Sequence, residues 1–172
     1  MKFPKYPILI LFAFSSFIAY SQELKPIDID ILVNDSENIL KKMDKLELSD
    51  EYNSLGAAVT EKFERLWYYD DLTDEEFSEL IERYKQLIDY KPPKEFENIF
   101  KEAGWKENGY RKFFTIFFGM ICIYFYLENN FLENGFDEKD MEMRRLKILK
   151  IFNKHDLDII NSRMEDLNVL FQ

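Results

Sequence analysis

The chain contains very few of the residues on which covalent and metal chemistry depend. Cys122 is the only cysteine and His155 the only histidine among 172 residues. A single cysteine excludes an intramolecular disulfide, and one cysteine with one histidine falls short of the ligand set of a zinc site. No serine or cysteine lies in a motif that would pair it with His155 as a nucleophile. The sequence therefore predicts no metal, no cofactor and no catalytic residue, and we interpret His155 as a helix-boundary residue.

Motifs for phosphate, calcium and iron are missing as well. The five glycines are scattered, so no phosphate-cradling loop is predicted. The acidic residues at 137–142 do not have the spacing or the glycine of a calcium loop. A carboxylate-bridged di-iron bundle requires a Glu three residues before each His, and Phe152 occupies that place before His155. These absences leave no motif that indicates phosphate, calcium or iron chemistry.

The first 21 residues have the pattern of a secretory signal peptide. Lys2 and Lys5 precede an uncharged apolar run from Ile8 to Tyr20, and Ala19 and Ser21 match the small residues before a signal peptidase cut. The run is shorter than the roughly 20 residues that a membrane-spanning helix needs. We therefore predict cleavage after Ser21, export to the periplasm or the exterior, and a single mature domain over residues 22–172.

Basic residues are outnumbered in the predicted mature domain. Removing the signal takes away two of the 23 basic residues and none of the 33 acidic ones, which leaves a formal net charge of −12. A charge of this sign repels nucleic acid and anionic membranes and attracts basic proteins. We therefore expect no nucleic acid partner and no membrane contact after export, and we expect a basic protein as the partner.

The apolar spacing predicts an all-α bundle of about six helices. Thr73 and Glu76 form the capping pair that begins the clearest of them. The stretch Phe113–Leu127 is apolar on all sides, which predicts a central helix with Cys122 buried in it. At the other end, Pro26–Val33 alternates apolar and mostly polar residues, and this period predicts one short strand or an extended arm. A helix is then predicted from about Asp35.

Local signals also predict where other helices begin and end. Ser49 is predicted to cap the second helix, and Gly104 is predicted to end the short helix that follows Pro92 and Pro93. The last two helices are predicted to begin near residue 137 or 140 and near residue 156. The apolar positions of the first of these two are Met141, Leu146, Ile148, Leu149 and Phe152.

One run of acidic residues beside aromatic ones is the candidate partner-binding surface. A solvated helix face is the simpler explanation of the acids, since acidic side chains stabilise the first turn of a helix. A second candidate patch consists of Trp105 and Tyr110, although such aromatics more often lie at the edge of a core. The residues predicted to bind the partner are Trp67, Tyr69, Asp70, Asp71, Asp74, Glu75 and Glu79.

Three functions remain open at the level of sequence. The first is a non-enzymatic binding protein of the cell envelope, and its acidic, single-domain composition resembles that of inhibitor or immunity-type proteins. The second is a carrier of a small apolar ligand, held in a cavity lined by the aromatic residues of Phe113–Tyr126. The third is an enzyme that uses carboxylates alone, which spacing along one chain cannot reveal.

Overall fold

The computed structural model describes residues 24–67, 72–124 and 138–168. The predicted signal peptide lies outside these ranges. The described residues form an all-α fold without strands, as the sequence predicts. Their helices are α1 (Pro26–Met43), α2 (Asp50–Trp67), α3 (Asp74–Asp89), α4 (Lys94–Ala103), α5 (Gly109–Ile121), α6 (Glu138–Ile148), α7 (Lys154–Ser162) and α8 (Met164–Leu167).

The short strand or extended arm predicted over Pro26–Val33 is wrong, because this segment is the first half of α1. Pro26 occupies the first turn of α1, where backbone N–H groups have no acceptor within the helix. A proline, which has no N–H, is therefore well tolerated there. Ile29, Leu32 and Ile39 are buried at a helical spacing that runs through the whole element. The separate helix predicted from Asp35 is therefore a continuation of the same helix. Over eight positions, alternating residues are compatible with the period of a strand and with that of a helix. Burial of the apolar residues against the neighbouring helices favours the helix.

Helices α2 and α3 pack against each other, and both begin at the caps that the sequence indicates. The Ser49 hydroxyl accepts a hydrogen bond from the backbone N–H of Tyr52 at 3.2 Å. At the start of α3, the Thr73 hydroxyl accepts from the N–H of Glu76 at 3.2 Å, and the Glu76 carboxylate accepts from the N–H of Thr73 at 2.8 Å. This reciprocal pair confirms the predicted capping box.

A tight connection joins α4 to α5. Gly104 ends α4 with a φ of 117°, a conformation that a side chain disfavours, and the N–H of Trp105 donates to the Phe100 carbonyl at 3.0 Å. At Gly109 the first turn of α5 crosses α4 so closely that an added Cβ would lie 2.4 Å from Cβ of Phe100. The approach brings the apolar helix directly onto the aromatic side chains of α4.

The apolar helix α5 packs against α1, α2, α3, α4 and α7. Its aromatic rings contact those of its neighbours: Phe118 stacks on Phe63 with 4.4 Å between ring centroids, and Phe113 lies 5.5 Å from Phe100. Cys122, in the π-helical turn that follows α5, is fully buried as predicted. Burial raises the pKa of its thiol far above the ordinary value, so this cysteine is an apolar core residue.

Two buried carboxylates tie distant segments together. Asp28 on α1 accepts hydrogen bonds at one oxygen from the Trp105 indole at 2.9 Å and from the Lys112 ammonium at 2.8 Å. Asp156 on α7 accepts from the backbone N–H of Leu24 at 2.7 Å and from the Asn153 side chain at 2.6 Å. Both carboxylates are therefore supplied with donors by the chain itself, which is the condition for keeping such groups buried.

The C-terminal region contains a helix break that the sequence does not predict. The segment predicted as one helix from Asp156 is divided at Arg163 into α7 and α8. Arg163 bonds Asp166 in the new helix and reaches Asp30 of α1 at 2.6 Å. His155 lies in the first turn of α7, where its Nε2 atom is 3.2 Å from the Leu24 carbonyl oxygen. The interpretation of His155 as a helix-boundary residue is confirmed.

Candidate docking surface

The predicted partner-binding residues divide into those inside and those outside the described part of the chain. Tyr69, Asp70 and Asp71 lie outside it, and for Trp67 the structure describes the backbone alone. Asp74 and Glu75 lie exposed in the first turn of α3, and Glu79 lies one turn further along. The structure therefore places three of the seven predicted residues on one end of one helix.

Two of the α3 carboxylates are already matched by basic residues of α2. Glu79 forms an ion pair with Lys62 at 2.8 Å and a longer one with Arg83 at 3.7 Å. Hydrogen bonding from Lys62 holds the pKa of Glu79 below its usual range. Glu76 binds the Arg65 guanidinium as well as Thr73, and the bond from Arg65, the larger cause, lowers the Glu76 pKa to about 2. The acidic run is thus less available to a partner than the sequence indicates.

Asp74 and Glu75 remain available. The Asp74 side chain is 98% exposed, and its ion pair with a described residue, Lys147 of α6, is long at 3.7 Å. Glu75 is exposed and forms no ion pair with another residue that the structure describes. Among the described residues of the predicted site, these two carboxylates are the most available to a cationic group of a partner.

An apolar stripe on α6 is the surface feature that the sequence analysis missed. Met143, Leu146 and Leu149 are 49%, 54% and 42% exposed, and they follow each other at a spacing of three residues. The hydrogen bond from the N–H of Leu149 to the Arg145 carbonyl, at 3.0 Å, continues the helical course to the end of the stripe. Exposed apolar side chains that share one helix face are typical of an interaction site.

The sequence contains a signal for this stripe, because α6 has more apolar residues than one helix face can bury. Leu146 and Leu149 belong to the set that the sequence assigns to the apolar face, together with Ile148 and Phe152. The structure buries Ile148 and Phe152 and leaves Leu146 and Leu149 exposed. Because one face of a helix cannot hold apolar side chains at positions 146, 148 and 149 alike, the surplus had to lie elsewhere on the helix.

Basic residues flank the stripe. Lys139, Arg145 and Lys150 are exposed, and none of them pairs with an acidic residue in the described ranges. Lys139, Met143, Leu146 and Lys150 are separated by four, three and four residues, so they lie along one line of the helix. An apolar line with a cation at either end therefore faces solvent on α6.

The acidic end of α3 and the α6 stripe are neighbours. Besides approaching Asp74, the Lys147 ammonium lies 5.8 Å from the centroid of the Phe77 ring on α3. Lys147 and Met143 are four residues apart and therefore adjacent on α6. We call this combined area the α3–α6 surface, defined by Asp74, Glu75, Lys139, Met143, Arg145, Leu146, Leu149 and Lys150.

The second candidate patch, formed by Trp105 and Tyr110, is not a surface. Trp105 is 2% and Tyr110 is 4% exposed. Trp105 donates to Asp28, and the Tyr110 hydroxyl donates to the Leu87 carbonyl at 2.7 Å. Both side chains are anchors of the core, as the alternative interpretation of these aromatics predicts.

A cleft of about 430 Å³ opens beside the connection between α4 and α5. Its walls carry charges of both signs, and two of its cations are already matched: Arg111 bonds Asp89 at 3.1 Å and Lys101 lies 3.6 Å from Glu97. Because these partners come from the chain itself, the cleft has no marked preference for a charged ligand.

The described residues were also searched for groups that bind a metal and for membrane-spanning helices. They contain no cluster of three or more His, Cys, Asp or Glu side chains that could hold a metal ion. None of their helices combines the length and the apolar character that crossing a membrane requires. The aromatic rings around α5 contact one another, and this contact fills the space between the helices at those positions.

Comparison of the chain with protein-family models, with curated proteins and with solved structures gave no match. The assignment of a site therefore depends on geometry and chemistry alone.

Proposed function

We propose that the chain is an exported, non-enzymatic protein-binding module and that its partner docks on the α3–α6 surface. The observation that carries this proposal is the position of the exposed Met143, Leu146 and Leu149 beside two exposed carboxylates. An apolar strip with a charged rim has the composition of a protein interface, in which burial contributes affinity and charges contribute specificity.

The expected partner offers cations to Asp74 and Glu75 and an apolar face to the α6 stripe. The net negative charge of the chain accelerates the approach of a basic surface. A module of this kind acts by covering its partner, which is how an inhibitor or immunity-type protein works. The carrier of an apolar ligand stays an alternative prediction, and the contacts between the aromatic rings around α5 do not favour it.

Affinity capture from the native envelope with residues 22–172 as bait tests the proposal. We expect retention of a protein partner that is lost when Asp74→Lys and Glu75→Lys are introduced together. The matched control is Glu37→Lys with Glu47→Lys, which makes the same change in net charge at exposed positions away from the α3–α6 surface. Equal retention by both double variants, or no retained protein, would overturn the assignment of the surface.

A further inference from the structure

Leu24 is the first residue that the structure describes, and it is held at both ends of its backbone. Its N–H donates to the Asp156 carboxylate at 2.7 Å, and its carbonyl oxygen lies 3.2 Å from Nε2 of His155. Its side chain is fully buried. The N–H of Lys25 is held as well, because it donates to Asp28 at 2.8 Å. We call Leu24 and Lys25 the strap, which ties the start of α1 to the first turn of α7.

The strap lies close to the bond at which the signal peptide is predicted to be removed. Removal is hydrolysis: one water molecule adds across the peptide bond between Ser21 and Gln22, leaving a carboxylate on Ser21 and an amino group on Gln22. Gln22 and Glu23 are the only residues between this bond and Leu24. Since two residues span at most about 7 Å when fully extended, the bond stays within that distance of the buried strap.

A protease requires room around the bond that it cuts. The residues on both sides of the bond must enter the active site as an extended segment that is free of other contacts. A bond held within about 7 Å of a packed residue meets this condition only in molecules whose strap has opened. The folded chain therefore protects the bond between Ser21 and Gln22.

The groups that hold the strap come from a distant part of the sequence. Asp156 and His155 follow Leu24 by 132 and 131 residues, and Arg163, which bonds Asp30 of α1, follows that residue by 133. At about 5–20 residues per second, synthesis of a segment this long takes on the order of ten seconds. The strap cannot close before α7 is present, so the bond stays accessible during this interval.

We infer that closing of the strap shields the bond between Ser21 and Gln22 from signal peptidase, so that the signal must be removed before Leu24 docks on α7. This inference rests on the proposed function, which makes the chain an exported protein, and on the cut predicted after Ser21. It adds an order to the maturation of the chain: cleavage comes first and the N-terminal contacts of the fold come last.

The test compares the folded precursor, residues 1–172, with a variant that carries a six-residue Gly-Ser linker between Glu23 and Leu24. The linker keeps the strap and adds up to about 20 Å of chain between it and the bond. Both proteins are folded in detergent micelles, checked by circular dichroism and incubated with purified signal peptidase. We expect the precursor to be cut at least about tenfold more slowly than the linker variant, because only molecules with an open strap are substrates.

The matched control carries the same linker between Lys91 and Pro92, in the connection between α3 and α4. This insertion lengthens the chain equally but leaves the bond beside the strap. We therefore expect the control to be cut as slowly as the precursor.

Three substitutions in the precursor test the hydrogen bonds of the strap. Asp156→Asn weakens the bond from the Leu24 N–H, so cleavage should become faster. Asp158→Asn, at an exposed position of the same helix, should leave cleavage slow. Tyr110→Phe removes a bond to the Leu87 carbonyl, which lowers stability at a place away from the strap, and it should leave cleavage slow as well. The comparison separates opening of the strap from a general loss of stability.

Two results would overturn the inference and leave the proposed function intact. One is a folded precursor that is cut as fast as the variant with the linker before Leu24. The other is a linker variant that is cut as slowly as the precursor, although the protein recovered from cells begins at Gln22. If the protein recovered from cells still carries residues 1–21, the predicted signal removal is wrong and the inference fails with it. Affinity capture through Asp74 and Glu75 tests the binding function independently of these results.

Discussion

The carboxylates of Asp28 and Asp156 lie in the core with donors from the chain around them, whereas those of Asp74 and Glu75 lie in solvent with almost none. Asp28 is 2% exposed and receives bonds from an indole, an ammonium and the backbone N–H of Lys25. Asp74 is 98% exposed, and its one ion pair within the described ranges, with Lys147, is 3.7 Å long. Carboxylates thus hold helices together in one region and remain available for a partner in the other.

This difference between buried and exposed carboxylates indicates how the helices are held together in an acidic chain whose described part contains no disulfide and no metal. Asp28 joins α1 to the start of α5, and Asp156 joins α7 to the backbone at Leu24, over sequence separations of 84 and 132 residues. Such bonds specify which helices meet, because a buried carboxylate is tolerated only where its donors arrive. Four variants test the contrast between the two kinds of carboxylate.

The largest effect is expected at Asp28. Asp28→Asn removes the charge that faces the Lys112 ammonium while keeping the size of the side chain, so the free energy of unfolding should fall by about 3 kcal/mol. Urea denaturation followed by circular dichroism measures this change in the free energy of unfolding. Glu37→Gln, at an exposed position of the same helix, is the control and should change stability by less than about 0.5 kcal/mol. Equal effects at both positions would contradict a structural role for Asp28.

A smaller and more local effect is expected at Asp156. Asp156→Asn weakens the bonds from Leu24 and Asn153, and we expect a loss of about 2 kcal/mol. Faster amide hydrogen exchange at Leu24 should accompany it, because this N–H donates to the carboxylate at 2.7 Å. Asp158→Asn, in an exposed ion pair with Lys154, should leave exchange at Leu24 unchanged. Protection of Leu24 in the Asp156 variant would show that another group holds the backbone at this residue.

Glu76 lies between these two cases, since its carboxylate is half-buried and has strong partners. Its pKa is about 2 in the folded state and about 4.5 ordinarily, so its contribution is present above pH 4.5 and is lost as the pH falls towards 2. Glu76→Gln should therefore lower stability near neutral pH and flatten the pH dependence in this window. Urea unfolding at a series of pH values measures both effects. Glu75→Gln is the control, and an equally flattened profile for that variant would count against the pairing of Glu76 with Arg65.

The smallest effect on folding is expected at the candidate site. Asp74→Asn combined with Glu75→Gln removes two exposed charges from the first turn of α3, where their interaction with the helix dipole is weak. The free energy of unfolding should change by less than about 1 kcal/mol, measured by urea denaturation. A loss as large as that at Asp28 would make these residues structural and would remove the contrast between the two regions.

The sequence predicts most of the helical content, because helix signals are local. Thr73 with Glu76 marks the start of α3, Gly104 follows the end of α4, and the apolar residues of α5 indicate a helix surrounded by others. The prediction fails where a local pattern is ambiguous. At Pro26–Val33 the alternating residues suit a strand, and packing of Ile29 and Leu32 decides for a helix.

The candidate site was only partly predictable. Asp74, Glu75 and Glu79 were identified from the acidic run, but the pairing of Glu79 with Lys62 depends on how α2 and α3 pack. Leu146 and Leu149 were assigned to the apolar face of their helix, and the structure exposes them. Exposure depends on which neighbours a helix has, and the residues of the helix alone do not specify them.

The sequence by itself determined the helical class of the described chain, the caps of its clearest helices and the excess of negative charge, because these depend on neighbouring residues or on composition. The tertiary structure decided which carboxylates are buried and hydrogen-bonded between segments and which are exposed. It also placed the acidic end of α3 beside the apolar stripe of α6. Burial, ion pairing and adjacency arise between segments that are distant in the chain, so they are defined only after the helices have packed.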